Sequence, residues 1–307
     1  MIDPDRALDY LDFVAARHSV WCLRQAGHPG PWTTDPIVAA RKFTNVFRIL
    51  DPGTQYVLST LALPDDDPLD VFTRLFLYRH TGQVDAWEWV RGEVGRPALG
   101  NLDDVLAAWQ EYRRLGGTIF TSAYLVYPQS STKGTDKIEA IVRLTERVVA
   151  EVGRAFPRTT MRQQFDLLRM NKGVGDFMSM QILTDWGYTL QCGSDHENDF
   201  VVCGPGARKG ALALDPHSKP EETLEWAYGV LNQSNRIRAG EAVSRPAVLP
   251  VPGGADRLPS RMDVQNTLCE FSKYVRYQSR PSATKPYVPA HPGPQPAPLL
   301  PRHWQRF

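Results

Sequence analysis

Gly173 and Gly175, one residue apart in MNKGVGDFMSM (170–180), are residues whose type and spacing could do chemistry. At such glycines the main chain can approach a phosphate closely, and the unpaired amides and dipole at a helix N-terminus form a ready anion site. Lys172 adds a positive charge, and Val174 completes the Lys-Gly-Val-Gly turn. The alternative is a plain corner, because glycine is common just past a helix end. Farther along, GSDHENDFVV places Asp195, Glu197 and Asp199 beside His196. Carboxylates so grouped suit general acid–base work, or they form a solvated acidic loop. Two further sets recur at helical spacings of four and three, Arg41, Asn45 and Arg48 in RKFTNVFR and Asn266, Glu270 and Lys273 in DVQNTLCEFSKY, so each set is expected to share a helix face. Glu270 and Lys273 are equally the residues of a common surface ion pair.

The elements that must position these groups read as helices. In DKIEAIVRLTERVVAEV, Ile138, Ile141, Val142, Val148, Val149 and Val152 fall on one face and Glu139, Arg143, Glu146 and Arg147 elsewhere. Similar patterns cover about residues 4–25, 35–50, 67–79, 102–115, 159–170, 176–186, 219–232 and 261–275, with Pro or Gly between many of them. TIFTSAYLVY (118–127) is the best strand candidate and equally a helix start. The expected fold is mostly α, with a domain over 1–278, two-lobed around a cleft if divided. SRPAVLPVPGGADRLPS (244–260) reads as a long loop, and the Pro-rich 279–307 as an extended or disordered tail.

With 307 residues and 42% apolar side chains the chain can bury a large core, while a net charge of +1 confines any nucleic-acid contact to local patches of Lys and Arg. The start lacks the apolar core of a secretory signal, no run reaches membrane-spanning length, and the expected location is the cytoplasm. Cys22, Cys192, Cys203 and Cys269 are widely spaced without a C-x-x-C pair, so neither a disulfide framework nor a metal site is expected. No cofactor is expected.

The succession helix, glycine hairpin, helix and later aspartate resembles the helix-hairpin-helix DNA glycosylases. That resemblance implies a hairpin gripping the DNA backbone, through Lys172, Gly173, Val174 and Gly175, and a catalytic aspartate, for which Asp199 and Asp195 are the candidates. The position that holds a lysine in the glycosylases with lyase activity is Phe177, which argues against Schiff-base chemistry there. Asp176 also departs from the pattern, since an acid beside phosphate-binding amides opposes a second negative charge; capping its own helix is the other reading.

Five stretches in order resemble a narrower family: PWTTDPIVAARKFTNVFRILDPGTQYVL (31–58), TIFTSAYLVY (118–127), KGVGDFMSMQILTDW (172–186), NDFVVCGPGARKGA (198–211) and DVQNTLCEFSKYVR (263–276). Together they resemble the helical domain associated with 5-hydroxymethyluracil DNA kinases and the amino acid:DNA transferases, the α-glutamyl/putrescinyl thymine pyrophosphorylases of phages with hypermodified thymine. The resemblance implies that 5-hydroxymethyluracil in double-stranded DNA is pyrophosphorylated by a P-loop kinase and that an amino acid or polyamine then displaces the pyrophosphate. GPGARKG (204–210) has the wrong spacing for a P-loop, so a partner kinase is expected to supply the activated base, in the host cytoplasm if the chain is phage-encoded.

Within that resemblance Asp199, with Asp195 in reserve, is the base or anchor for the incoming amine, and the turn 204–210 holds the leaving pyrophosphate through Gly204, Gly206, Arg208 and Lys209, unless it is a Pro-Gly loop with two solvated cations. Arg41 and Arg48 meet phosphate, Asn45 reads a pyrimidine edge, and Asn266, Glu270 and Lys273 join the substrate site. Cys269 reads as a small buried residue. A base-excising glycosylase and a non-catalytic DNA-binding module that partners the kinase are the competing functions.

Overall fold

The computed structural model describes residues 2–121, 136–156, 159–192, 197–232, 258–279 and 297–301. It is mostly helical, and among the described residues there is no strand, only an isolated antiparallel bridge between Gly82 and Phe120. The helices are α1 (Pro4–Gln25), α2 (Pro36–Ala40), α3 (Pro52–Tyr56), α4 (Pro68–Thr81), α5 (Val84–Val94), α6 (Leu102–Arg114), α7 (Lys137–Val152), α8 (Met161–Met170), α9 (Asp176–Tyr188), α10 (Pro205–Leu214), α11 (Pro220–Asn232) and α12 (Arg261–Ser279). None of them is long and apolar enough to cross a membrane. The chain divides into two compact units. One is made of Met1–Asp51 and Val201–Phe307, the other of Pro52–Phe200, so the second is inserted in the sequence of the first.

Four helices begin at an Asp-Pro pair, and in three of them the aspartate caps the helix. Asp3, Asp35 and Asp67 each accept two backbone N–H groups of the following turn, and Pro4, Pro36 and Pro68 stand where no N–H is required. Gly82 ends α4 in the left-handed region at φ 74°, which glycine adopts without penalty.

In the split unit α12 is the central element, packed against α1, α2, α10 and α11. Tyr10, Phe13, Phe43, Phe271 and Tyr274 form its aromatic core, with Phe13 edge-on to Phe43 at 5.2 Å and Tyr10 edge-on to Phe271 at 5.3 Å. In the continuous unit α4 and α9 are buried almost all round, and Phe72, Phe156 and Trp186 meet with centroids 4.1–6.1 Å apart. Arg79 donates to both carboxylate oxygens of Asp185 inside this core, and Thr54 binds the same pair. His80 is buried there, its Nδ1 at 2.7 Å from the Phe76 carbonyl oxygen, and burial pushes its pKa down to about 4.

The expected helix over 35–50 is broken. Only α2 is α-helical; Arg41 adopts extended backbone at φ −128°, ψ 149°, and Arg48–Leu50 make a single 3-10 turn. The turn expected at 204–210 is instead the start of α10, with Gly204 at its N-cap and Pro205 at its first position. The 84–94 helix has no counterpart in the sequence reading. Residues 122–127 of the strand candidate, most of the 244–260 loop and most of the tail lie outside the described residues.

Candidate functional site

In the split unit the polar groups converge where the extended segment 41–47 lies along α12. Arg17 of α1 holds the segment, donating from Nε to the Thr44 carbonyl at 2.8 Å and from Nη2 to the Phe43 carbonyl at 3.0 Å and Asn45 Oδ1 at 2.7 Å. From α12, Asn266 Nδ2 donates to Thr44 Oγ1 at 3.1 Å and to the Asn45 carbonyl at 2.9 Å, and Glu270 Oε2 accepts the Thr44 amide at 3.1 Å. Asp263 Oδ1 accepts the Arg48 amide at 2.7 Å, while its Oδ2 accepts the Ser260 amide and hydroxyl. Lys273 Nζ donates to Glu270 Oε1 at 2.5 Å. The arrangement satisfies a backbone stretch that has no secondary structure of its own.

Two sets that were expected to share helix faces therefore fare differently. Asn266, Glu270 and Lys273 do line one side of α12 and act together. Arg41, Asn45 and Arg48 do not share a helix face, because the backbone between them is extended. Asn45 is buried, with Nδ2 donating to the Leu50 carbonyl at 2.6 Å and Oδ1 held by Arg17; an amide committed in this way does not read a base edge. Arg48 is buried as well, whereas Arg41 stacks over the Tyr277 ring at 4.8 Å.

α10 packs on α12 in the same unit through its glycines. A Cβ on Gly206 would stand 2.3 Å from Cys269 Sγ, and one on Gly210 would stand 1.9 Å from the Leu268 carbonyl oxygen. Both positions thus serve close helix packing. Arg208 pairs with Glu221 at 2.9 Å, and Lys209 is exposed. Burial raises the Cys203 thiol to about 11 and raises Cys269 too, which suits neither to nucleophilic attack.

One functional candidate escaped the sequence reading. Asp51, at the end of the 3-10 turn, takes the Asn45 amide on Oδ1 at 2.8 Å. Burial raises its carboxyl to about 6, against the opposing pull of Arg48, the Asn45 amide and Arg17, with Glu270 raising it further. The available signal was an acid directly before a Pro-Gly turn in LDPGT, which reads as routine turn chemistry.

The glycine hairpin belongs to the continuous unit. α8 and α9 are joined by Asn171–Gly175, with Gly173 at φ 98°, Val174 buried, and Lys172 and Gly175 exposed. Arg147 of α7 donates to the Lys172 carbonyl at 2.7 Å and Arg169 to the Val174 carbonyl at 2.9 Å, so the carbonyls of the turn are held by arginines. Gly175 is the N-cap of α9 and no side chain caps it; a Cβ there would meet nothing within 4 Å. Asp176 does not cap its helix; it pairs with Arg169. Asp199 lies exposed in the same unit, next to Phe200, whose ring is edge-on to Phe165 at 5.1 Å and under Arg162 at 4.0 Å. Asp195 and His196 lie outside the described residues. Among the described residues no cluster of three or more His, Cys, Asp or Glu side chains could hold a metal ion, and the four cysteines are free thiols.

Comparison with known proteins gives these arrangements a family. The family described as "5-hmdU DNA kinase, helical domain" matches residues 5–283. The 5-hmdU DNA kinase of Bacillus phage SP10 is 24% identical over 291 residues, which cover 87% of this chain and 44% of the relative. The chain thus spans less than half the length of that curated relative. No solved structure matches. Because the match runs over nearly all of its described helices, the chain belongs to the 5-hmdU DNA kinase helical-domain family.

Proposed function

We propose that this chain is a DNA-base-modifying domain that acts on DNA carrying pyrophosphorylated 5-hydroxymethyluracil and transfers an amine, from an amino acid or polyamine, onto the base methylene with release of pyrophosphate. The observation that carries the reading is the gathering, in the split unit, of three of the family-like stretches: 41–51, 204–210 and 263–273. Carboxylates, guanidinium groups and a desolvated acid stand together there, the chemical set required to accept a proton from an ammonium and to stabilise a departing polyanion. A P-loop kinase activity supplies the activated base, since GxxxxGK[ST] occurs nowhere in the 307 residues.

A base modified at its exocyclic carbon is reached by taking the nucleotide out of the stack, at a cost of about a few kcal/mol for a paired base. In this reading the α8–α9 hairpin grips the backbone through Lys172 and the amides around Gly173–Gly175, a helical module of the helix-hairpin-helix glycosylase kind, and Asp199 stands near the DNA. The commitment of Asn45, Asn266 and Glu270 to holding the segment 41–47 favours a second reading, a DNA-binding module that delivers a kinase to its base. Incubating the protein with pyrophosphorylated 5-hydroxymethyluracil duplex and a mixture of amines, followed by digestion and mass spectrometry of the nucleosides, separates the two. Amino-linked nucleosides support transfer; unchanged nucleosides despite tight DNA binding leave the module.

A further inference from the structure

The last turn of α12 carries a cluster of cations around one aromatic ring. Tyr277 is half-buried, with the Arg41 guanidinium over its ring at 4.8 Å from the centroid and that of Arg276 over it at 5.2 Å. Phe43 supports the same ring edge-on at 6.3 Å. Arg276 is exposed, as is Lys42, the residue after Arg41, and among the described residues neither side chain makes an ion pair or a hydrogen bond. Two acids near this end are engaged elsewhere. Asp35 accepts the Tyr274 hydroxyl at 2.7 Å and two amides of α2, and Glu270 accepts Lys273 and the Thr44 amide. A cation suits a helix C-terminus, which gives Arg276 a local role, but Lys42 has no such role. Like charges gathered in this way oppose one another and attract an anion.

We infer that Arg276 and Lys42 form a DNA-backbone contact of the split unit, with Tyr277 as the shelf that positions the arginine. This rests on the DNA-binding part of the reading above and not on its transfer chemistry. The net charge of +1 leaves the attraction of DNA to local patches, and this cluster is one. Arginine presents a planar fork of donors that meets phosphate oxygens two at a time, while lysine adds a compact charge. A guanidinium stacked on a ring has fewer rotamers open to it, so less freedom is lost when phosphate binds. Contacts of this kind fix the register and orientation of a duplex without reading its bases. The cluster is therefore expected to bind unmodified and modified DNA alike.

The test is binding of a fluorescein-labelled, unmodified DNA duplex to the full chain, followed by anisotropy over a series of salt concentrations. Thermal melts check that each variant folds. Lys42→Gln and Arg276→Gln should each lower the slope of log affinity against log salt by about one and the double variant by about two, with affinity down on the order of tenfold per lost contact at low salt. Tyr277→Phe keeps the ring and should match the wild type, whereas Tyr277→Leu, which removes no charge, should weaken binding about two- to fivefold. Lys219→Gln removes an exposed cation elsewhere in the same unit and should leave the slope unchanged. An unchanged slope in the double variant, an equal fall in Lys219→Gln, or undiminished affinity in Tyr277→Leu would overturn the inference. Absence of duplex binding by the wild type would overturn it together with the DNA-binding reading. If Lys172→Ala lowers the slope and the double variant does not, the inference fails and the hairpin reading stands. A lowered slope in the double variant of a protein that makes no amino-linked nucleoside sustains the contact and removes the transfer.

Discussion

Asn266 of α12 donates its side-chain amide to the main-chain carbonyl of Asn45 at 2.9 Å, joining positions 221 residues apart. With Glu270 and Arg17 it holds the extended segment 41–47, which the 3-10 turn Arg48–Leu50 continues to Asp51. The geometry of the candidate site in the split unit depends on this contact.

Replacing Asn266 with Ala should therefore leave the buried Asn45 carbonyl without its donor and remove the bond to Thr44. The expected loss is about 1–3 kcal/mol, read from urea unfolding. A loss under about 0.5 kcal/mol would mean that the segment is held by the other contacts alone.

The glycines of α10 and α11 should respond oppositely to alanine. At Gly210 a Cβ would stand 1.9 Å from the backbone of Leu268, so Gly210→Ala should destabilise by about 1–3 kcal/mol as the helices are forced apart. At Gly229 nothing lies within 4 Å, and Gly229→Ala should stabilise by about 0.5–1 kcal/mol through helix propensity. Thermal melts of the two variants provide the comparison.

Asp51→Asn should raise stability above pH 6. The folded carboxyl is raised to about 6, so folding favours its protonated form; stability from this group is complete at low pH and declines as pH rises through about 6. Asparagine escapes that decline. After discounting for partial exposure, the variant should exceed the wild type by about 1 kcal/mol at pH 8, with the advantage vanishing near pH 3.5. Urea titrations at both pH values read the difference, and an advantage of the same size at both would refute the assigned protonation behaviour.

The α8–α9 hairpin is tested by variants that spare the fold. The exposed Lys172→Ala should reduce the slope of log affinity against log salt for duplex DNA by about one, whatever the sequence. Gly175→Ala adds a methyl group in open space and costs under about 1 kcal/mol of stability, yet it should weaken DNA binding because the methyl occupies the approach to the turn. Unchanged affinity in both variants would remove the hairpin from the DNA interface.

Local periodicity carried much of the fold. Ile138, Ile141, Val142, Val148, Val149 and Val152, chosen as one face, are all buried in α7, and the helices flanking the glycine hairpin lie at 161–170 and 176–188. Periodicity misled at 41–48. The spacing of Arg41, Asn45 and Arg48 is compatible with a helix, but Arg17 and Asn266, distant in sequence, supply the hydrogen bonds that keep the backbone extended. Gly-Pro-Gly at 204–206 suggested a loop, although Pro205 suits a first helical position and Gly206 and Gly210 are contact residues facing α12. Asp51 was illegible for a related reason: beside the nearby Arg48, its charged neighbours Arg17 and Glu270 come from α1 and α12, distant in sequence.

The most direct test of the account is stoichiometric. Pyrophosphorylated 5-hydroxymethyluracil duplex is incubated with the protein and ¹⁵N-glycine, and released pyrophosphate and labelled nucleoside are quantified from the same reaction. Displacement by the amine predicts equal amounts of the two, with the label joined to the base methylene. Pyrophosphate release without labelled nucleoside, abasic sites, or recovery of the starting nucleoside alone would contradict it.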